Sequence, residues 1–342
     1  MSKCKENCPK FKTMCGGQAL IEGIMMRGPE KEAIVVRKPD GELEVKVEPL
    51  KLVKTRHPWM GWPLIRGPIN FVDSMVHGVK ALMYSAEFYP EEEEEESEKV
   101  KVRREKREQK RREKAAKKGK PLPENEEKDG SLSEKAMAAV VTVSVILGLG
   151  FSILLFFILP TLITGFLTRW VQSRLVLSLI EGAVRMVIFL AYIILTSKLK
   201  DMQRVYRYHG AEHQTIFCYE HGLPLTVENV RKMPRHHPRC GTSFLFVIMA
   251  VAILVHAVLG VGWDNTWLRL AVRLLSLPVI VAITYELNRF VGRHDNAFTR
   301  ILTAPGLWLQ NWTTSEPDDT MIEVGIRALS EVLPEEKGSD AW

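Results

Sequence analysis

Four long apolar segments constrain the fold of this chain more than any other feature of its sequence. They cover residues 136–159, 176–197, 243–263 and 268–291. A helix needs about 20 residues to cross a hydrocarbon core about 30 Å thick, and the buried helices of soluble proteins are usually shorter. The sequence therefore predicts a membrane domain of four spanning helices within residues 134–292.

Basic residues beside these segments predict the side of the membrane on which each loop lies. Residues 99–120 contain thirteen Lys or Arg against three Glu, and the loop 199–242 contains seven Lys or Arg between residues 200 and 239. Loops rich in Lys and Arg tend to stay in the cytoplasm. We therefore expect a multi-pass protein of the cell inner (plasma) membrane, with both termini and the 199–242 loop in the cytoplasm.

The charge distribution also indicates the partners of the chain. The formal net charge is +6, and the basic residues are concentrated next to the apolar segments, which favours contact with an anionic membrane surface. Aromatic residues are not interleaved with a basic surface, so we expect no specific nucleic acid partner. The lipid bilayer is the predicted partner, and the sequence leaves open whether other membrane proteins are further partners.

Residues 1–89 are predicted to form a small cytoplasmic domain containing a glycine-rich segment, a β-hairpin and an amphipathic helix. Pro39-Asp40-Gly41 is a strong turn signal between two short strands within residues 33–47. Between residues 68 and 88, apolar residues recur at helical spacing. We expect this helix to cover the sheet, although Trp59 and Trp62 ahead of it would also suit a helix on the bilayer. The predicted fold class is thus an α+β membrane protein, four transmembrane helices with a small cytoplasmic β-hairpin/helix domain.

Two polar segments complete the predicted domain organisation. Residues 90–133 begin with glutamates and continue with the basic run, so we expect a disordered linker, either a solvated spacer or an anchor on anionic lipid. Residues 293–342 are predicted to be a cytoplasmic or interfacial segment. Trp308 and Trp312 suit the headgroup level, and a short helix after Asp318 should pack on the N-terminal sheet.

The three cysteines near the N-terminus predict neither a disulfide framework nor a metal site. Cys4, Cys8 and Cys15 fit no standard metal or disulfide spacing. We expect free thiols in a disordered tail.

Ionisable residues interrupt the apolar segments, where a charged side chain costs about 2.5–3.5 kcal/mol on insertion scales. Glu181 and Arg185 lie four residues apart, which is the spacing of an ion pair on one helical face. His256 and Arg273 are expected at a similar depth in neighbouring spans. The four residues are either structural ties between helices or part of a conduit.

The most recognisable chemical motif lies in residues 208–218. His209 and His213 are four apart with Glu212 between them, which gives H-x-x-E-H, the reverse of the common zinc-protease motif. On a helix the two imidazoles share one face and could ligate a divalent metal such as zinc, with Glu212 as catalytic base. The further candidate ligands are His236, His237 and Cys240. The alternative is a helix end whose histidines bond to nearby carboxylates and carbonyls.

Several segments together carry a resemblance to a known family. They are GGQALIEGIMMRGP (16–29), HGAEH (209–213), HPRCGTSF (237–244) and APGLWLQNWTTSEPDD (304–319). The chain resembles the YqhQ-type family of bacterial multi-pass membrane proteins over nearly its whole length outside the charged linker. The resemblance implies a family of unknown function with a suggestion of metal-dependent enzyme activity, and it implies no catalytic residues.

Two functional hypotheses follow from these observations. The first is a metal-dependent hydrolase with its site at the cytoplasmic membrane surface, acting on a membrane-associated peptide, a lipid headgroup or a phosphoester. The second is a non-enzymatic membrane scaffold, assembly factor or conduit in which the histidines are structural. Glu22 and Arg27 of the glycine-rich segment either approach the histidine loop or pair with each other.

Overall fold

The computed structural model describes residues 11–50, 58–89, 134–259, 265–294, 296–334 and 340. Cys4, Cys8 and the predicted linker 90–133 lie outside these residues. By its internal contacts the chain separates into two units, Met1–Ser85 with Ile153–Trp342, and Ala86–Ser152. The domain boundaries predicted from the sequence stay a prediction.

The N-terminal strands form an antiparallel sheet in the order β1-β2-β3-β4. The strands are β1 (Gly16–Leu20), β2 (Gly23–Arg27), β3 (Lys31–Arg37) and β4 (Leu43–Pro49). The predicted hairpin is present as β3 and β4, with Gly41 at a φ of 89° in its turn, which glycine adopts without strain. The sequence did not predict the hairpin of β1 and β2. Its turn lacks the usual Asn-Gly or Asp-Gly pair and holds Glu22 at a φ of 50°.

The described helices follow the sheet in the chain. A 3₁₀ turn at Pro58–Gly61 precedes the first helix, and a π-helical turn at Leu154–Ile158 joins the second helix to the third. The α-helices are α1 (Arg66–Ala86), α2 (Glu134–Ile153), α3 (Leu159–Leu167), α4 (Arg174–Thr196), α5 (Lys200–Glu220), α6 (Val227–Arg231), α7 (Gly241–Leu259), α8 (Thr266–Leu275), α9 (Leu277–Arg293), α10 (Ala297–Thr313) and α11 (Asp319–Val332).

The prediction of four apolar helices long enough to cross a membrane is confirmed, with different bounds. The first span continues past residue 159, through α3, and the fourth combines α8 with α9 around Ser276. Most of their side chains are not buried within the protein, as expected of helices that meet lipid. The spans cover Val143–Leu167, Arg174–Thr196, Gly241–Leu259 and Trp267–Arg293. The fold is therefore α+β, with a four-stranded antiparallel sheet and four helices apolar enough to span a membrane.

The main hydrophobic core lies between one face of the sheet and two helices. Alternate residues of β2 and β3 point to this face, and α5 and α11 cover it. The predicted packing of the C-terminal helix on the sheet is thus present. Cys15 is buried in the same core, so this part of the expected disordered tail is ordered. The core includes Ile24, Met26, Ala33, Val35, Tyr208, Ala211, Ile216, Met321, Ile322 and Leu329.

Helix α1 contacts the sheet with the face opposite to the expected one. Its buried residues are Gly67, Gly78, Ala81 and Ser85. Polar contacts join this side to the sheet, since Asp73 accepts a bond of 2.8 Å from Arg27 and Ser85 Oγ accepts one from the Ile21 N–H. The apolar side chains are instead exposed, among them Val72, Val76, Val79 and Met83. The expectation that the apolar stripe covers the sheet is therefore wrong, because small residues allow closer packing on that side.

The membrane helices bury a group of ionisable side chains around Glu181. The predicted pair is present, with Arg185 Nη2 3.1 Å from Glu181 Oε1, and Arg273 forms a second ion pair with the same carboxylate. Thr161 and Thr164 donate hydroxyl hydrogen bonds of 3.1 Å to it. His256 instead bonds to Ser276 at 2.9 Å. Three spans are thus tied together at one acid.

Loss of this acid should destabilise the membrane domain. Glu181→Gln leaves both Arg185 and Arg273 without their carboxylate, and breaking a buried ion pair from one side costs about 3–5 kcal/mol. We expect a lower thermal midpoint and a lower yield of folded protein in detergent. Adding Arg185→Met should restore only part of the midpoint, because Arg273 still lacks its carboxylate. An unchanged midpoint in Glu181→Gln would contradict burial of this group between the spans.

Candidate metal centre

Helix α5 carries the H-x-x-E-H motif and is buried over most of its second half. His209 and His213 lie one turn apart on the face directed away from the sheet core. Gly210 between them is required by packing, since a Cβ there would lie 2.1 Å from the Ser315 carbonyl oxygen. Gly210 lowers the helix propensity of α5, but only a residue without a side chain allows this close contact with the segment after α10.

Backbone carbonyls fix the orientation of both imidazoles. His209 Nδ1 lies 2.8 Å from the Thr313 oxygen, and His213 Nδ1 lies 2.6 Å from the Arg235 oxygen. Because a carbonyl only accepts, each Nδ1 must carry the hydrogen and each Nε2 keeps a free lone pair in the neutral ring. Nε2 of His213 is buried and has no hydrogen-bond partner among the described residues.

Cys240 completes the cluster from the N-terminus of α7. Its Sγ lies 3.2 Å from His209 Nε2, and the ligand atoms of His209, His213 and Cys240 all lie within 4.8 Å of one another. Burial acts to raise the pKa of the Cys240 thiol, but the two imidazoles outweigh it and hold this pKa well below its usual range. Burial acts to lower the pKa of His209. The neighbouring Cys240 raises it by more, so that the pKa of His209 increases to about 9. These two pKa shifts favour a Cys240 thiolate beside a protonated His209 when no metal is bound.

Glu212 lies next to this cluster, outside the set of three ligand atoms. Its Oε1 accepts a hydrogen bond of 3.0 Å from the Gly17 N–H, and its Oε2 is buried without a partner among the described residues. A Cβ at Gly17 would lie 2.6 Å from the Met25 oxygen and 3.1 Å from Glu212 Cδ, so only glycine allows this approach. Burial raises the pKa of Glu212, with the nearby histidines acting in the opposite direction.

The other two predicted ligands lie outside the cluster. His237 is buried against His213, with ring centroids 5.6 Å apart, but its Nε2 is directed to Glu220 and Arg239 at 3.7 and 3.3 Å. Burial lowers the pKa of His237 to about 4, so its ring is neutral. His236 is half-buried and forms no part of the three-residue set. Among the described candidates, the structure thus brings together His209, His213 and Cys240.

Glu22 approaches the histidine loop, whereas Arg27 takes neither of the roles considered for it. Glu22 pairs with Arg204 and accepts a bond of 3.1 Å from the Tyr208 hydroxyl, both from α5. Arg27 pairs with Glu32 at 3.1 Å and with Asp73 of α1. Glu22 therefore anchors the helix that carries the metal cluster, and Arg27 anchors α1.

A cavity of about 450 Å³ opens onto the cluster. One wall is formed by residues 13–19, which include most of β1, and another by α5 from Val205 to Ile216. The start of α7 supplies the remaining side with Cys240, Thr242 and Leu245. Sequence reasoning missed the contribution of β1. The signal was the glycine pair Gly16-Gly17, which marks a close approach but does not say to what.

Comparison with known proteins adds a family and a relative. The family model described as "Protein of unknown function (DUF1385)" matches residues 62–335. The chain is 32% identical over 327 residues to the uncharacterised protein YqhQ of Bacillus subtilis (strain 168), which covers 93% of this chain and 92% of that protein. No solved structure gives a significant match.

The thiolate assignment predicts an unusual pattern of cysteine reactivity. In chelator-treated protein, iodoacetamide should alkylate Cys240 faster than Cys15. Both thiols line the cavity, but burial raises the pKa of Cys15 to about 11 whereas the pKa of Cys240 is lowered. Because the pKa of Cys240 lies low, its rate should change little between about pH 6 and about pH 8. His209→Ala should restore a rate that climbs with pH. Peptide mass spectrometry measures each site, and a wild-type rate rising about tenfold per pH unit would contradict the assignment.

Proposed function

Since the chain belongs to the DUF1385 family of proteins of unknown function, we propose its function from the geometry of its own site. The proposed function is metal-dependent hydrolysis at the membrane surface, with His209, His213 and Cys240 as ligands and Glu212 as general base. One observation carries the proposal. Three ligand atoms lie within 4.8 Å of one another beside a buried carboxylate, and an open cavity reaches them.

The donor set suits zinc. Imidazole nitrogen and thiolate are ligands that zinc prefers, and catalytic zinc sites use three protein ligands and keep one position open. Carbonyl oxygens bonded to Nδ1 of both histidines are the outer contacts that orient zinc-ligating imidazoles. Bound here, the metal would supply Lewis-acid chemistry and make water reactive near neutral pH.

Glu212 is suited to proton transfer in this reaction. The Gly17 N–H holds one carboxylate oxygen, which fixes the side chain and leaves Oε2 for the reactants. A glutamate whose pKa is raised by burial is a stronger base than an exposed one. We propose that Glu212 takes the proton that leaves the attacking water and then delivers it to the leaving group.

The short connections between the spans and the site support a position at the membrane surface. Helix α5 begins at Lys200, just after the second span ends at Thr196, and Cys240 directly precedes the third span. The site therefore belongs to the side of the membrane on which these two span ends lie. The excess of Lys and Arg in the same loop favours the cytoplasmic side of the plasma membrane.

Helix α1 supports the same position, with lipid as the proposed partner of its exposed apolar side. Arg66 and Asn70 bond to Glu286 and Tyr285 of the fourth span, with Arg66 Nε 2.7 Å from Glu286 Oε1 and Asn70 Nδ2 2.7 Å from Tyr285 Oη. The N-terminal part of α1 is thus held against a membrane helix. Its exposed valines and methionines, with the exposed Trp59 and Trp62 just before it, suit the headgroup boundary.

Metal content tests the proposed function. Protein purified without added metal should contain about one zinc per chain by plasma emission spectroscopy. His209→Ala, His213→Ala and Cys240→Ser should each lose most of it, whereas His236→Ala, outside the cluster, should retain it. Glu212→Gln should keep the metal and lose hydrolytic activity. An undiminished metal content in both histidine variants would sink the assignment and favour the non-enzymatic scaffold, assembly factor or conduit.

Reporter fusions test the proposed topology. One reporter fused after Trp342 and another inserted between Gly119 and Lys120 should both report a cytoplasmic position, because the basic residues beside the spans favour retention on that side. Alkaline phosphatase and a fluorescent protein at each site serve as opposite controls. Active phosphatase at either position would overturn the orientation.

A further inference from the structure

The cavity at the metal cluster is bordered by the free edge of the sheet. Among the described strands, β1 is the first in the order β1-β2-β3-β4, so its edge away from β2 pairs with none of them. Residues Gly16 to Ala19 of this strand line the cavity together with His209, Glu212 and Cys240. A sheet edge and a candidate hydrolytic site therefore share one open space.

The direction of the Gly17 N–H identifies which backbone groups face that space. This N–H donates to Glu212 and so points away from β2. In an antiparallel pair, the N–H and C=O of one residue point to the same side, and the side alternates along the strand. Ala19, two residues further, therefore also directs its N–H and C=O outward. Neither group has a hydrogen-bond partner among the described residues, and Ala19 is half-buried in the cavity wall.

Unpaired edge groups of this kind are normally covered, or they are used to bind another strand. We propose that the outward N–H and C=O of Ala19, on the edge of β1, bind an extended polypeptide as an added strand, and that the site hydrolyses a peptide bond in it. This inference rests on the proposed function and names its substrate class. Main-chain hydrogen bonds would align the substrate, and pockets for alternate side chains would select it.

Glu212 lies close to the path that a peptide bound along β1 would follow. Ala19 lies two residues from the Gly17 N–H that binds Glu212, which is about 7 Å along a strand. A chain paired with Ala19 therefore passes the base and the metal cluster within one or two residues. Val205, Ile216 and Leu245 supply apolar surface on the other walls of the cavity.

The charges of the cavity favour a peptide over a phosphoester or an anionic headgroup. Phosphate recognition uses Arg or Lys side chains directed at the ligand. Among the described lining residues, Arg239 carries the guanidinium, and it forms an ion pair with the fully buried Glu220. An extended peptide has an uncharged backbone, so its binding does not require Arg or Lys side chains directed into the cavity.

The reaction is ordinary hydrolysis. The water oxygen bonds to the carbonyl carbon of the scissile peptide, and Glu212 takes one proton from that water. The C–N bond then breaks, and the proton passes to the departing nitrogen, so that one water and one peptide bond become a carboxylic acid and an amine.

Full-length protein in lipid nanodiscs, loaded with zinc, provides the test. The probe is a proteome-derived peptide library, and mass spectrometry of new N-termini reports cleavage while plasma emission reports zinc in the same sample. Ala19→Pro removes the outward N–H of β1. The matched control is Val47→Pro on the outer edge of β4. Leu50 donates its N–H inward to Glu30, so position 47 faces outward, as the native Pro49 also does.

Wild type and Val47→Pro should cleave the library, and Ala19→Pro should keep its zinc but cleave about 5- to 10-fold more slowly. N-methylation of successive nitrogens in the best-cleaved peptide should slow cleavage at every second position, and this readout does not depend on the folding of Ala19→Pro. Zinc without any cleavage, or an N-methylation pattern without this alternation, overturns the peptide substrate and leaves the metal centre standing. If the wild-type protein fails to bind zinc, the proposed function is overturned, and the peptide substrate with it.

Discussion

The burial of a polar helix, α5, is the constraint on which the site depends. Its second half is enclosed by the sheet, by α11 and by the segment after α10, although it carries histidines, glutamates and a glutamine. Each buried polar group needs a partner to offset its desolvation. Thr313 and Arg235 supply carbonyls for the histidines, and Gly17 supplies an N–H for Glu212. The partners that make the burial tolerable are the ones that orient the reactive atoms.

The membrane helices and the site are mechanically connected through the two ends of the loop that contains it. Only the residues between Thr196 and Lys200 separate the second span from α5, and Cys240 is covalently joined to the first residue of the third span. The distance between Cys240 and the histidines therefore depends on the packing of α4 against α7. Glu181, which ties α4 to α3 and to α8, contributes to that packing from within the apolar helices.

The sequence was sufficient where a signal is local and insufficient where it is long-range. Apolar run length predicted the spans, Pro39-Asp40-Gly41 predicted one hairpin, and the spacing of His209 and His213 predicted their common face. The choice of Cys240 over His236 and His237 depends on how the chain returns to α5 after Val230, and no spacing encodes that return. The side of α1 that meets the sheet was wrongly expected because an apolar stripe indicates the protein interior only when the other surroundings are water. The role of β1 was missed because glycines signal close approach without naming the neighbour.

The network behind the cavity has a consequence for the order in which the protein is made. Glu220 accepts the Thr13 N–H at 2.8 Å, and the Thr13 hydroxyl bonds to Asp340, 327 residues away. Met14 also donates its N–H to the Asp340 carbonyl at 2.6 Å. During synthesis, residues 13–19 leave the ribosome before any span, and Asp340 leaves it after all of them. The wall of the cavity formed by residues 13–19 therefore gains its last contacts only once all four apolar helices have been synthesised, so an incomplete chain holds an unfinished site.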